Sequence, residues 1–518
     1  LYHGVGVGKT CASILISQNF VNTFPQKILV LAPHSLQSNY KKELFNASKL
    51  DFENHNYVSC FGKKYLTDLD DWHTMNTNSI SKKINAIINT EYEFFGYQKV
   101  VNLMQKLKDK SKTKFGYDVK KMNNDYYQKI HELFSNRVII IDEVHNIRSS
   151  SDKDVKMFPK KMEEILKYAI NIKLILMSAT PMFDNPKELS WIMRLMYLVD
   201  NKSSKSKISI EFDESNKLSP NSSENIKQFA NKYVSYMRGY SIESFPIHLY
   251  HASYNHDFKI PKYDMITNSP IKKIMNEDHF NFIPFGKFQN EIYETYTKTQ
   301  KHSKLIQMSN MVYTKNTDNI INSVGKKGFN QIFIRKQSKY LKVKYKENVT
   351  HIFDHNKLSK YGSKITEIFN NIKNAEGKVI IYSKYIYSGI IPIALALESE
   401  NYNKYNNLNI LETNKPKSNN NTYAILSGYT SISPNNDEEL ARFNHPLNID
   451  GSIIKIMLIS DVASEGVDFN HIRQIHILEP WYNMNKLQQI IGRGVRFMSH
   501  MLLPEEKRNV TTFLYINM

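Results

Sequence analysis

Cysteine is almost missing from this chain. Cys11 and Cys60 are the only two in 518 residues, which excludes a disulfide framework and a cysteine-rich zinc site and fits a reducing compartment. Long apolar runs are missing too. None reaches the roughly 18 residues that a membrane span requires, so no membrane partner is expected. Acidic residues are short of basic ones, 50 against 69, leaving a formal charge of +19. That imbalance favours a polyanionic partner. Arginine is scarce as well, at ten of the 69 basic residues. The excess is therefore lysine, in a chain also rich in Asn, Ile and Tyr. Such a composition also follows from an AT-rich genome, so charge alone leaves the partner open. What is present is enough apolar material, 41% of residues, to build real cores. The length fits roughly two to four domains, and no repeat array is visible.

Short apolar runs bounded by turn residues recur, with helical patterns between them. Lys27–Ala32, Val138–Ile141 and Lys173–Met177 form a first group. Lys378–Tyr382, Tyr423–Leu426, Ile453–Ile459 and Gln474–Leu478 form a second. β-Rich runs separated by helices indicate parallel sheets covered on both faces. The expected fold class is therefore α/β, in two units. Asp200 to about Asn225 is rich in Ser, Asn and Lys and reads as a surface loop. Residues from about 226 to 345 show no clear period and read as a bridging or inserted segment, mostly helical. Asn414 to Thr422 reads as a low-complexity loop. The expected organisation is a first lobe over 1–199, a linker and bridging segment over 200–345, and a second lobe over 346–518.

The chemistry concentrates in four places. The first is His3-Gly4-Val5-Gly6-Val7-Gly8-Lys9-Thr10, a glycine-rich turn ahead of a helical pattern. Successive N–H groups in such a turn cradle phosphate oxygens, and the following helix adds its positive end. Lys9 would reach the β- and γ-phosphates and the Thr10 hydroxyl would bind Mg²⁺. His3 stands where the motif usually has its first glycine. Only Leu1 and Tyr2 remain of the strand such a loop needs in front of it, so the N-terminus reads as missing. A longer chain is expected to bind nucleotide better. The second place is Asp142-Glu143-Val144-His145, after a buried run. Asp142 suits Mg²⁺ and Glu143 suits the base that activates the attacking water. An Asp-Glu pair alone is more often ordinary helix capping; beside Lys9 and Thr10 it reads as catalytic. The third is Ser178-Ala179-Thr180, whose bland reading is a helix cap. The fourth is Gln489-Ile490-Ile491-Gly492-Arg493-Gly494-Val495-Arg496. It spends two of the ten arginines three residues apart, on one face if the segment is helical.

These motifs in this order resemble the superfamily 2 helicases and translocases over nearly the whole chain. His3 to Thr10 resembles motif I, Asp142 to His145 the DExH form of motif II, Ser178 to Thr180 motif III, and Gln489 to Arg496 motif VI. Ala32 to Glu43 resembles motif Ia of the Swi2/Snf2-like branch. Ile380 to Ser383 resembles motif IV, and Ser460 to Phe469 motif V, which places Gly466 and Asp468 near the nucleotide. Tyr233 to Gly239, Leu358 to Tyr361 and Leu503 to Val510 are similar to helicases of large nucleocytoplasmic DNA viruses, relatives of poxvirus nucleoside triphosphatase I and the early transcription factor ATPase.

The resemblance implies two RecA-like lobes with ATP and Mg²⁺ as cofactors. His3, Gly4, Val5, Gly6, Val7, Gly8, Lys9 and Thr10 would hold the nucleotide, and Thr10 and Asp142 the metal. Glu143 would be the base, Arg493 and Arg496 the arginine fingers, and His145 and Gln489 would couple hydrolysis to movement. It implies nucleic acid as partner, DNA ahead of RNA, together with viral transcription machinery, in a viral particle or host cytoplasm. The rival expectation is a non-catalytic nucleotide-binding subunit of a transcription or packaging complex. The presence of Glu143, Arg493 and Arg496 argues against it.

Overall fold

The structure is a computed structural model. It describes the chain apart from residues 5, 6, 54, 58, 70, 146, 148–156, 180–187, 201–209, 212–217, 238–243, 253–278, 298–301, 315–319, 413–420, 462–466 and 481–483. Two compact units emerge, Leu1–Gly239 and Tyr240–Met518.

In the first unit the apolar runs become strands β1 (Tyr2–His3), β2 (Ile28–Leu31), β3 (Tyr92–Phe95), β4 (Arg137–Ile141), β5 (Ile172–Leu176) and β6 (Tyr236–Met237). The central ladder runs β3-β2-β4-β5, all parallel. A parallel bridge from Tyr2 to Ser178 places β1 beside the end of β5, and β1 pairs in parallel with β6. Ile28–Leu31 and Val138–Ile141 are almost wholly buried, as expected of strands covered on both faces. Helices α1 (Lys9–Gln18), α2 (His34–Leu44) and α3 (Thr77–Glu91) contribute to one core with Ile28, Val30, Val138 and Ile140. Helices α4 (Tyr97–Phe115), α5 (Val119–Phe134), α6 (Phe158–Tyr168) and α7 (Glu188–Asp200) pack with Leu29, Leu31, Ile139 and Ile141. The alternation of faces along β2 and β4 thus divides the cores.

The segment expected as a loop to about Asn225 becomes helical earlier. Helix α8 (Pro220–Tyr233) starts at Pro220 because Ser219 accepts from the N–H of Ser222 and proline suits the first turn.

The second unit holds β7 (Ile247–His251), β8 (Phe280–Ile283), β9 (Lys378–Tyr382), β10 (Asn403–Lys404), β11 (Thr422–Leu426), β12 (Ile456–Ile459), β13 (Ile472–Ile477) and β14 (Asn509–Asn517). The order is β8-β14-β13-β9-β12-β11-β10, with β7 sharing the β14 edge. Every pairing in this sheet is parallel, while Phe333–Arg335 and Val343–Tyr345 form a separate antiparallel pair. Helices α9 (Lys287–Thr297), α10 (His302–Asn310), α11 (Gly325–Ile332), α12 (His355–Tyr361), α13 (Ser363–Lys373) and α14 (Ile391–Ser399) cover one face. Helix α15 (Asn436–Asn444) packs on β11 and α16 (Met484–Ile491) follows β13. The period-free stretch before residue 345 therefore supplies both helices and sheet-edge strands. Among the described residues no helix is long and apolar enough to cross a membrane. The loop expected from Asn414 lies largely outside the described residues.

Candidate active site

The phosphate loop sits where β1 hands over to α1. Gly8 caps α1 with φ of 81°, a left-handed conformation that glycine adopts without steric penalty. It turns the chain so that Lys9 and Thr10 open the helix. The serines of α1 fix the helix to its neighbours: Ser13 Oγ lies 2.9 Å from the Tyr40 hydroxyl and Ser17 Oγ 3.2 Å from that of Tyr92. Ser13 Oγ also donates to the Thr10 carbonyl at 2.8 Å. Gly4 N–H donates to the Met237 carbonyl at 3.0 Å, which ties the loop's entry to β6. His3 is buried, with Nε2 2.9 Å from Ser235 Oγ. Burial, aided by nearby positive charge, pushes its imidazole below the ordinary value. Its side chain thus anchors the strand before the loop. Val5 and Gly6 lie outside the described residues.

The acidic motif meets this loop. Lys9 Nζ donates to Glu143 Oε1 at 3.4 Å, and Glu143 Oε2 lies 3.4 Å from His145 Nδ1. His145 Nδ1 is also 2.9 Å from Ser178 Oγ, so motifs II and III share a buried polar contact. Asp142 Oδ1 accepts from the Glu143 N–H at 3.0 Å. Glu143 itself has φ of 49°, a conformation rare for a non-glycine residue and common where function holds a strained turn. Three backbone hydrogen bonds hold that turn to the sheet: Asp142 N–H to Leu31 O at 2.9 Å, Val144 N–H to Met177 O at 3.1 Å, and Met177 N–H to Ile141 O at 2.9 Å. Thr180 lies outside the described residues.

One residue that sequence reasoning missed completes this turn. Tyr97, buried at the start of α4, donates its hydroxyl to the Asp142 carbonyl at 2.5 Å and approaches the Glu143 carbonyl at 3.5 Å. Its only local signal is the Gly96-Tyr97 step after a strand, and nothing there points to a partner 45 residues away.

In the second unit, Asp468 gathers the motif VI arginines. Arg496 pairs with Asp468 Oδ1, and Arg493 Nη1 lies 3.8 Å from the same oxygen. The Phe469 N–H donates to the Arg493 carbonyl at 3.0 Å, and Asn444 Nδ2 donates to the Asp468 carbonyl at 2.7 Å. A helix through both arginines is not what forms. Helix α16 carries Gln489 and ends at Ile491; Gly492 to Gly494 make a turn, and Arg496 lies past it. Gly494 packs closely there: a Cβ would come to 3.0 Å from Ile475 Cδ1 on β13, so that side chain would have to give way by a few tenths of an ångström. The arginines converge through the turn and the shared carboxylate, not through helical spacing. Gly466 lies outside the described residues. At the start of motif V, Asp461 pairs with Lys486 and accepts from the Tyr382 hydroxyl at 3.0 Å.

Motif IV is tied to the strand end by a buried carboxylate absent from the sequence reading. Glu479 accepts from Ser383 Oγ at 2.9 Å, from Asn310 Nδ2 at 2.9 Å, and from the Lys384 N–H. Burial pushes this carboxyl up and pushes the neighbouring Lys364 ammonium down to about 8.

A phosphate loop, an acidic strand end and paired arginines on two parallel-sheet units define a P-loop ATPase of the helicase class. Comparison with known proteins gives the same assignment. The type III restriction enzyme res subunit family matches residues 1–183, and the helicase conserved C-terminal domain family matches residues 363–498. The chain thus carries helicase-family domains, which support a nucleic-acid-dependent ATPase. Several of its relatives are viral. It is 29% identical over its whole length to a "Putative ATP-dependent RNA helicase" of Acanthamoeba polyphaga mimivirus, spanning 78% of that protein. It is 26% identical to a "Putative helicase" of Invertebrate iridescent virus 3, spanning 47% of it. Over 30% of the chain it is 32% identical to a "Termination factor NPH-I homolog" of African swine fever virus, spanning 25% of that protein. The chain thus spans about half or less of two of these three relatives.

Proposed function

We propose that the chain is a motor that couples ATP hydrolysis to movement on nucleic acid during viral transcription or genome handling. The observation that carries the reading is the 3.4 Å approach of Lys9 to Glu143, supported by the family matches. It sets the phosphate-gripping cation beside the candidate base, at the carboxyl ends of parallel strands where such sheets bind ligands. Gly4, Val5, Gly6, Val7 and Gly8 are the proposed cradle, His3 anchors the strand ahead of it, and Lys9 binds the β- and γ-phosphates. Thr10 and Asp142 fit Mg²⁺ by donor chemistry, one hydroxyl and one carboxylate, because Mg²⁺ takes few protein ligands when phosphates and water supply the rest. When bound, the ion neutralises charge on the triphosphate oxygens.

Glu143 takes the proton of the attacking water. Arg493 and Arg496 present guanidinium groups to the triphosphate, a contribution of about 10³–10⁵ in related enzymes. Asp468 holds those arginines ready, and Gly466 stands with it in motif V. His145, through Ser178, and Gln489 couple hydrolysis to movement. The names of the mimivirus and African swine fever virus relatives support nucleic acid and transcription as the setting. DNA is the first expectation and RNA the second. Phosphate release measured with single-stranded DNA, duplex DNA and RNA tests the proposal. Stimulation by at least one of them is expected; a rate indifferent to all three would refute it.

A further inference from the structure

The helical hairpin between β3 and β4 is built like a phosphate-binding surface. Helix α4 carries Lys99, Lys106, Lys108, Lys110, Lys112 and Lys114 against one acidic residue, Asp109. Its buried face is Tyr97, Val100, Val101, Met104, Leu107 and Ser111. At about 100° per residue, Lys99, Lys106 and Lys110 fall together on the opposite pole, and all three are exposed. Lys106, Asp109, Lys110, Thr113 and Lys114 line a shallow concavity along that side.

The charge pattern is not that of a merely soluble helix. Lys106 and Lys110, Lys108 and Lys112, and Lys110 and Lys114 are like-charge pairs four residues apart, each destabilising to the helix. Asp109 accepts from Gln105 Nε2 at 2.9 Å. Among the described residues, no ion pair engages Lys106, Lys108, Lys110 or Lys112. Helix α5, by contrast, pairs two of its three lysines: Lys129 with Asp125 at 2.5 Å and Lys121 with Asp118 at 3.2 Å. Asp125 also takes Lys114 at 3.2 Å, which leaves the Lys106–Lys110 pair on the outward stripe, and the Lys108–Lys112 pair away from it, without a carboxylate partner among the described residues. The connecting turn, Gly116-Tyr117-Asp118, holds Tyr117 with its ring entirely in solvent, at 103% relative exposure. Gly116 has φ of 57°, and Asp118 caps α5 by accepting from the Lys121 N–H at 3.0 Å. The turn is therefore ordered, and it displays an aromatic ring with nothing beneath it.

We propose that the outward face of this hairpin binds the nucleic-acid backbone, with Lys99, Lys106 and Lys110 on successive phosphates and Tyr117 against a base or sugar. This rests on the nucleic-acid reading above and adds a contact surface outside the helicase motifs. A polyanion relieves the like-charge repulsion that the free helix bears, and an exposed ring beside a cationic track is what strand-binding proteins use for stacking.

The test uses the full chain and a fluorescent 30-base-pair duplex, with the matching single strand alongside, titrated at several salt concentrations. Changing Lys99, Lys106 and Lys110 together to Gln should weaken duplex binding about tenfold or more and flatten the log–log salt slope by about 2–3. The same three positions changed to Arg should keep both affinity and slope, which separates lost charge from lost fold. Tyr117→Ala should weaken single-strand binding with little change in slope. A Gln triple variant that binds both probes with wild-type affinity and slope overturns the proposal. No binding by the wild-type chain, with ATP hydrolysis intact, defeats the nucleic-acid reading itself and this surface with it.

Discussion

Tyr97→Phe removes one oxygen and should disable, from behind, the turn that carries the proposed base. The hydroxyl donates to the buried Asp142 carbonyl at 2.5 Å and lies 3.5 Å from that of Glu143. The ring stays, packed 5.0 Å from Phe158, so no cavity of ring size opens. A typical intramolecular hydrogen bond contributes about 1 kcal/mol net, and an orphaned carbonyl raises the loss toward about 2 kcal/mol. For a unit of roughly 240 residues that is a fall of about 2–8 °C in midpoint. The kinetic effect should be larger than the thermal one suggests. Glu143 holds a left-handed φ of 49°, which persists only while its surroundings enforce it. Relaxation of that turn by about 1 Å costs on the order of 100-fold in a positioned reaction. Steady-state ATPase assays should therefore show turnover down about tenfold to a hundredfold, with the KM for ATP within about twofold, since Lys9 and the loop are untouched. Full turnover in a variant that melts like wild type would refute the reasoning.

Asp468→Asn should loosen Arg493 and Arg496 together, lowering turnover about tenfold, while stability moves by no more than about 1 kcal/mol because the cluster is partly exposed; unchanged turnover would remove Asp468 from that role. Ser178→Ala should leave ATP binding intact and reduce stimulation by nucleic acid, measured as the ratio of stimulated to unstimulated rates, because it breaks the contact to His145. Lys378 gives a pH prediction. Its ammonium is buried, donates to the Phe443 carbonyl at 2.8 Å and is pushed down to about 7 by burial. Above that value the folded chain has shed a proton that the unfolded chain keeps up to the ordinary lysine range, so stability rises with pH. Between pH 7 and 9 the wild type should gain about 2 kcal/mol on Lys378→Met in denaturant titrations; parallel pH profiles would contradict this.

Much of the sheet architecture was legible because a doubly covered parallel strand has one pattern. The run Lys378–Tyr382 is β9 to the residue, and Val138–Ile141 falls within β4. The strand ends then located the motifs. What failed was local geometry set by distant packing. The arginine segment has helical spacing, yet the helix ends at Ile491 and Gly494 packs closely against Ile472 and Ile475 of β13, a contact that only the folded sheet reveals. Strand β14 escaped notice because its neighbours β7 and β8 come from a stretch of sequence more than 200 residues earlier. Tyr97 and Glu479 were invisible for the same reason: each acts on residues far along the chain and carries no motif of its own.

The most direct measurement is phosphate release by the wild type and by Glu143→Gln, with and without nucleic acid, beside their affinities for ATP. The account predicts a stimulated wild type and a variant that binds ATP as tightly while its turnover falls at least about 100-fold. Equal turnover in the two proteins would contradict it.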